Sequence, residues 1–239
     1  MKLDRHLVSL TAPASFAAEQ YQGLRLTIER LSRARDVKVI AVSSPAAGDG
    51  KTITSINLAA ALARGSDDRV LLVDADLRRP SVARLLALTD AARGLADTLG
   101  RGGATLAEVI KPSRLPNLSV LPAGTARGGV SEILRSPLLE DLLRNARRTY
   151  AYVVVDTPPL LPVFDSALLA KLVDGVLLVV SANQTPRKLL GEALNMLDSS
   201  KVLGIVFNRD ERPLFGYYNS YNRYYREYFA DPTQAASEA

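Results

Sequence analysis

The sequence predicts an α/β fold: a doubly wound, mostly parallel sheet with helices on both faces. Three observations predict it. Six near-continuous runs of valine, leucine and isoleucine recur along the 239 residues, the signature of strands buried on both faces. Helical patterns separate the runs, giving the β–α alternation of parallel crossovers. A glycine-containing turn, SSPAAGDGKT at 43–52, joins the first run to the helix that follows.

The elements follow in order. Residues 15–34 form an amphipathic helix, with Ala17, Tyr21, Leu24, Ile28 and Leu31 at helical spacing on one face. That stripe packs either on its own sheet or on a neighbouring subunit. VKVIAVS (38–44), VLLVDA (70–75), LSVLPAG (118–124), YVVVD (152–156), GVLLVVS (175–181) and VLGIVF (202–207) read as strands. Helices are expected at about 51–64, 81–88, 131–147, 165–172 and 186–199. Pro137 behind Ser136, and Pro186 behind Thr185, each fit a first helical position that follows a capping residue. Residues 1–209 thus read as one domain. Residues 210–239 lack a sustained apolar period, contain Pro213, Gly216 and Pro232, and read as a flexible tail.

Composition narrows the function. A hydrophobic content of 47% suits a buried core. The chain has no cysteine, which excludes disulfides and thiolate metal sites and fits a reducing compartment. Net charge is +5 and the pI about 9.5, but no dense basic block appears, so an arginine-rich surface is expected and a nucleic-acid partner is not. No apolar run reaches the roughly 18 residues of a membrane span. The apolar stretch in MKLDRHLVSL is too short for a signal peptide. A cytoplasmic protein is expected, with any membrane association arising through a partner.

The chemistry lies in three segments. The phosphate-loop pattern is G-x-x-x-x-G-K-[ST]. Here Pro45 takes the first glycine's place, while Gly50, Lys51 and Thr52 are present and Gly48 adds a second flexible point. Backbone N–H groups over Ala47, Gly48, Asp49, Gly50, Lys51, Thr52 and Ile53 would cradle phosphate at a helix N-terminus. Lys51 would reach the β- and γ-phosphates of ATP, and the Thr52 hydroxyl would bind Mg²⁺. Asp156 ends the run VVVD, and Asp74 and Asp76 sit two apart after VLLV, at the carboxyl ends of strands where open α/β sheets bind ligands. Asp74 and Asp156 are the metal-binding candidates beside Thr52.

This order of motifs resembles the bacterial tyrosine kinases of capsule and exopolysaccharide synthesis, within the deviant-Walker P-loop ATPases. SSPAAGDGKT is similar to their Walker A, Asp74-Ala75-Asp76 with Arg78 to Walker A′, and Asp156-Thr157-Pro158-Pro159 to Walker B. The likeness runs from about 15 to 229. Relatives that position division sites or partition plasmids carry a signature lysine early in the loop; this chain has Ala46, as the kinases lack that lysine too. The kinases also carry a C-terminal tyrosine cluster. Six of the nine tyrosines here lie at 217–228: Tyr217, Tyr218, Tyr221, Tyr224, Tyr225 and Tyr228.

The resemblance implies an ATP- and Mg²⁺-dependent autokinase whose catalytic residues are Lys51, Asp74, Asp76 and Asp156. Asp76, or alternatively Asp74, would accept the tyrosine proton, and the six tail tyrosines would be the substrates. Four of them also fit helical spacing, so an aromatic docking patch is the competing reading of the tail. Asn208, after the last strand, would recognise adenine. Arg78 would orient Asp76, contact phosphate, or form an ion pair. Glu19 and Arg25 correspond to part of a ring-forming motif in the N-terminal helix, where Gln22 replaces the family's first arginine. The partners implied are a membrane-spanning polysaccharide chain-length regulator as activator, further copies in a ring, and a tyrosine phosphatase as antagonist. The chain would sit at the inner face of the cytoplasmic membrane through that regulator. Two competing readings are a positioning or partition-type ATPase and a nucleotide-gated scaffold with little kinase activity.

Overall fold

The computed structural model describes residues 2–65, 67–100, 103–161 and 164–210. The expected tail and its six tyrosines lie outside the described residues. Seven strands form one sheet: β1 (Val39–Ser43), β2 (Val70–Asp74), β3 (Lys111–Pro112), β4 (Leu118–Leu121), β5 (Tyr152–Asp156), β6 (Gly175–Ser181) and β7 (Val202–Asn208). Their order across the sheet is β3-β4-β2-β5-β1-β6-β7. Only the β3–β4 pair is antiparallel; the rest run parallel, as the apolar runs predict.

Side chains alternate along each strand, so each run feeds two cores. Val39, Ala41, Leu71, Val73, Val153 and Val155 belong to one core. Ile40, Val42, Leu72, Val154, Leu177 and Val179 belong to the other. Both faces must therefore be covered. α1 (Val8–Thr11), α2 (Phe16–Arg35), α3 (Lys51–Gly65) and α4 (Val82–Leu85) lie over the second core. α5 (Leu95–Leu99), α6 (Leu106–Val109), α7 (Val130–Leu134), α8 (Pro137–Thr149) and α9 (Asp165–Leu172) lie over the first. α10 (Arg187–Asn195) packs through Ala193 on Leu160 and Leu178. Each fully buried leucine contributes about 1.5–3 kcal/mol.

Several boundaries differ from expectation for identifiable reasons. The single helix expected over 131–147 is α7 followed by α8. Pro137 opens α8, where the Ser136 hydroxyl accepts the Leu138 N–H at 3.4 Å, and proline at that point does not continue a preceding helix. The helix expected over 81–88 shortens to α4, because Ala87 takes a left-handed backbone at φ 52°. The helix expected over 186–199 ends at Asn195 and begins at Arg187, one residue after Pro186. Thr185 does not cap it; its hydroxyl oxygen accepts the Ser181 N–H at 2.8 Å instead. In α2 the fully buried residues are Ala18 and Ile28, whereas Ala17 is exposed. Leu24 and Leu31 pack with Ile28 against α3's apolar residues, so the stripe covers the phosphate-loop helix of its own chain.

A candidate nucleotide site

The loop after β1 is held open by two left-handed glycines. Gly48 has φ 94° and Gly50 φ 97°, a region that residues with a Cβ rarely adopt. At Gly50 a Cβ would also fall 2.0 Å from Nδ2 of Asn208. Ala47 and Gly48 stand at the exposed crest, and α3 begins at Lys51, so its unpaired N–H groups face the loop's concavity. Ile53 is half-buried, packed on the second core.

Asp49 braces this loop with its side chain. Its Oδ2 accepts the Ala46 N–H at 3.0 Å, and its Oδ1 accepts the Thr185 hydroxyl at 2.7 Å. Its carbonyl oxygen accepts Asn208 Nδ2 at 2.9 Å. The Ser44 hydroxyl closes the turn by donating to the Ala46 carbonyl at 2.6 Å. The Asp49 carboxylate thus points into the protein, and only its backbone is available to a phosphate. Asn208 stands at the same end of the sheet, one hydrogen bond from the loop.

The acids meet the loop from the two neighbouring strands. Asp74 and Asp156 are register partners at the ends of β2 and β5, and both are fully buried. Asp74 Oδ2 accepts the N–H groups of Ser81 (3.2 Å) and Val82 (3.1 Å). Asp156 Oδ1 accepts the Ser55 hydroxyl at 3.1 Å. The other oxygens, Asp74 Oδ1 and Asp156 Oδ2, are buried without a hydrogen-bond partner. Lys51 Nζ lies 2.8 Å from Asp76 Oδ2 and 3.8 Å from Asp156 Oδ1, and donates to Thr52 Oγ1 at 3.2 Å. Asp76 Oδ1 accepts the Arg79 N–H at 3.0 Å.

This crowding shifts protons. Burial, then the facing charge of Asp156, pushes the Asp74 carboxyl up to about 7. Burial raises Asp156 to about 6 against the pull of Lys51. Burial disfavours the Lys51 ammonium, but the charges of Asp156 and Asp76 outweigh it and hold its pKa above the ordinary value. Two orphaned carboxylate oxygens beside a lysine and a threonine hydroxyl suit a hard divalent cation. No group of three or more His, Asp or Glu side chains that could hold a metal occurs among the described residues. A cation here would complete its shell with phosphate and water, which is how Mg²⁺ is ordinarily held.

The candidates therefore divide. Lys51, Thr52, Asp76 and Asp156 meet in one cluster, and Asp74 joins it through its pairing with Asp156. Arg78 turns away: its Nε donates to Asp165 Oδ2 at 2.5 Å and its Nη2 to Ser131 Oγ at 3.0 Å. Of its three readings, the geometry gives the ion pair. Arg25 lies along its own helix, with Nε on Gln22 Oε1 (2.9 Å) and Nη1 on Glu29 Oε1 (2.6 Å). It also fills the space beside Gly65, where a Cβ would meet Nη1 at 2.4 Å. Glu19 sits half-buried in the first turn of α2. Sequence reasoning missed Ser55, Asp165 and the Thr185 brace. Ser55 is one helical turn beyond Lys51, a spacing that marks it; Thr185 is 136 positions from Asp49 and carries no local signal.

Comparison with known proteins agrees with this geometry. A family model described as an AAA domain matches residues 37–201. The chain is 36% identical over 238 residues to the succinoglycan biosynthesis transport protein ExoP of Rhizobium meliloti, covering 95% of this chain but 30% of that protein's length. It is 32% identical to the tyrosine-protein kinase YwqD of Bacillus subtilis, covering 92% of this chain and 93% of that one. The kinase domain of the Escherichia coli tyrosine kinase ETK superposes with a TM-score of 0.80 at 27% identity, over 88% of this chain and 84% of that one. With the phosphate loop, the paired aspartates and a relative matched along nearly its whole length, the chain belongs to the bacterial tyrosine kinase family of P-loop ATPases.

Proposed function

We propose that this chain transfers the γ-phosphate of ATP to tyrosines of its own C-terminal segment, and that this regulates export or polymerisation of an exopolysaccharide or capsule. One observation carries the catalytic part: the register pair Asp74–Asp156, each with an orphaned oxygen, lies beside Lys51 at the mouth of the phosphate loop.

Phosphoryl transfer proceeds largely through a loose transition state, so catalysis is mostly positioning and charge neutralisation. The backbone N–H groups from Ala47 to Ile53 cradle the β- and γ-phosphates. Lys51 exchanges its 2.8 Å contact with Asp76 for the phosphates, which frees Asp76 to accept the tyrosine proton. Thr52, Asp74 and Asp156 would hold Mg²⁺, the two acids in part through water. That cation supplies neutralising charge to the phosphates. Asn208 meets the adenine once its bond to the Asp49 carbonyl gives way. Tyrosine, near 10, is a weak acid beside an aspartate near 4, and a loose transition state tolerates the gap because the hydroxyl proton leaves late.

Tyr217, Tyr218, Tyr221, Tyr224, Tyr225 and Tyr228 are the proposed acceptors, carried on residues 210–239 beyond a catalytic unit of 1–209. Full phosphorylation adds roughly −9 to −12 of charge, at roughly −1.5 to −2 per site, which loosens a ring held partly through Glu19 and Arg25. No described helix is long and apolar enough to cross a membrane. A membrane-spanning chain-length regulator is the proposed activator and inner-face anchor, and a tyrosine phosphatase the antagonist.

The test is incubation with Mg·ATP, with and without a candidate activator segment, followed by phosphotyrosine mapping by mass spectrometry. Phosphate in 217–228 that vanishes in Lys51→Met is the expected result. Release of inorganic phosphate without phosphotyrosine would mark a hydrolytic ATPase instead. Retained ATP binding with neither signal would mark a scaffold.

A further inference from the structure

Asp165 is a buried carboxylate outside the nucleotide cluster. It opens α9, is 1% exposed, and both of its oxygens are engaged. Oδ2 accepts Arg78 Nε at 2.5 Å, and Oδ1 accepts the Ser131 hydroxyl at 2.8 Å. Arg78 Nη2 also donates to Ser131 Oγ at 3.0 Å, which closes a triangle. Its three corners come from three connections. Arg78 follows β2, Ser131 lies in the first turn of α7 after β4, and Asp165 begins the helix after β5. β4, β2 and β5 are neighbours in the sheet, so one carboxylate ties the chain beyond three adjacent carboxyl ends. An ion pair that buries a carboxylate gains little net stability, because desolvation offsets the attraction; fixing geometry is the better-supported use.

The geometry that needs fixing is two residues away. Asp76 Oδ2 holds Lys51 Nζ at 2.8 Å, and its Oδ1 accepts the Arg79 N–H at 3.0 Å. The segment 76–79 is thus tied inward by Asp76 and sideways by Arg78. When Lys51 turns to the phosphates, Asp76 loses its cation, and the Arg78 clamp is left to hold the segment in place. We propose that Asp165 is a positioning residue for phosphoryl transfer: through Arg78 it keeps Asp76 aimed at the acceptor hydroxyl after Lys51 has left. Ser131 is the second strut, fixing the carboxylate that fixes the arginine. A small misplacement from a change outside the reacting atoms slows a reaction by up to about a hundredfold. The inference rests on the reading of Asp76 as the group that accepts the tyrosine proton.

The test compares the full-length wild type with Asp165→Asn, Arg78→Gln and the double variant, following the initial rate of phosphotyrosine formation against Mg·ATP concentration. Arg78 is 42% exposed, so its variant keeps the proposal testable if Asp165→Asn fails to fold. Each single variant is expected to be about tenfold to a hundredfold slower at saturating ATP, with half-saturating ATP within about twofold of the wild type. The double variant is expected to be no slower than the slower single one, because both act through one contact. Losses that multiply overturn the proposal, as does a rate lost in parallel with ATP affinity, which marks a merely structural role. Asp76→Asn, run alongside, separates the two readings. If it abolishes transfer while Asp165→Asn and Arg78→Gln match the wild type, the positioning role alone falls. If it transfers normally, the reading of Asp76 falls and takes the positioning role with it. Exchange of the Arg79 amide, followed by NMR without nucleotide, reads the tether without any phosphoryl transfer. It is expected to be about tenfold faster in Arg78→Gln, and an unchanged rate overturns the proposal even if the kinase reading stands.

Discussion

Asp74 and Asp156 face each other across β2 and β5, and each keeps one buried oxygen with no donor. Without a cation, that pair is a source of instability, because burial disfavours two charges with unfilled hydrogen-bonding capacity.

Asp74→Asn therefore stabilises the metal-free, nucleotide-free protein at alkaline pH. The folded carboxyl titrates at about 7, well above its ordinary 3.8. Between these values the folded state holds a proton that the unfolded chain has released, so stability falls as pH rises through that window. Asparagine keeps the side-chain acceptor for Ser81 and Val82 but cannot ionise. Urea unfolding is expected to show a gain on the order of 2 kcal/mol at pH 8 and little change at pH 4. A variant less stable at pH 8 would mean that Asp74 is charged and well paired.

Lys51→Met has the opposite sign. It leaves Asp76 and Asp156 without their cation, and removing one partner of a buried pair costs about 3 kcal/mol. The loss is expected to be larger at pH 8 than at pH 5, since Asp156, raised to about 6, takes up a proton at the lower pH. Denaturation curves at the two pH values check this separately from the loss of phosphoryl transfer.

The two loop glycines are separable. Gly48→Ala meets open space and bears only the left-handed strain, about 1–2 kcal/mol. Gly50→Ala adds a Cβ 2.0 Å from Asn208 Nδ2 and must push that side chain off the loop. Nucleotide titration is expected to show weak binding in the first and almost none in the second. Equal affinities would remove Asn208 from the site.

Thr185→Val severs the brace on Asp49 while preserving the residue's shape. An about tenfold rise in KM for ATP, about 1.4 kcal/mol, is expected with kcat little changed, and Thr185→Ser should restore it. A uniform fall in kcat with KM unaltered would place Thr185 outside the loop's control.

Strands were legible because burial on both faces leaves one sequence signature, the unbroken apolar run. β5 and β6 match their expected limits for that reason. β3 was invisible: Lys111 and Pro112 have no strand character and pair only because β4 lies alongside. α1, α5 and α6 are four or five residues long, too short for a periodic pattern, and are fixed by tertiary packing. In the site, Lys51, Asp74, Asp76 and Asp156 were legible because each sits at a strand or helix end marked by its neighbours. The brace on the loop was not, since Thr185 reaches Asp49 from 136 positions along the chain, and Asn208, expected at the adenine, gave no sign that it also bonds the Asp49 carbonyl.

The placement of β5 has a temporal consequence. β1 and β2 share no hydrogen bonds; β5 lies between them and pairs with both. A nascent chain that has emerged only through β4 holds the phosphate loop and Asp74 on two strands that share the cover of α3 but no strand pairing. Insertion of Tyr152–Asp156 supplies the spacing and delivers the second acid in the same event. The second acid thus joins the phosphate loop and Asp74 only through the strand that ties their two strands together.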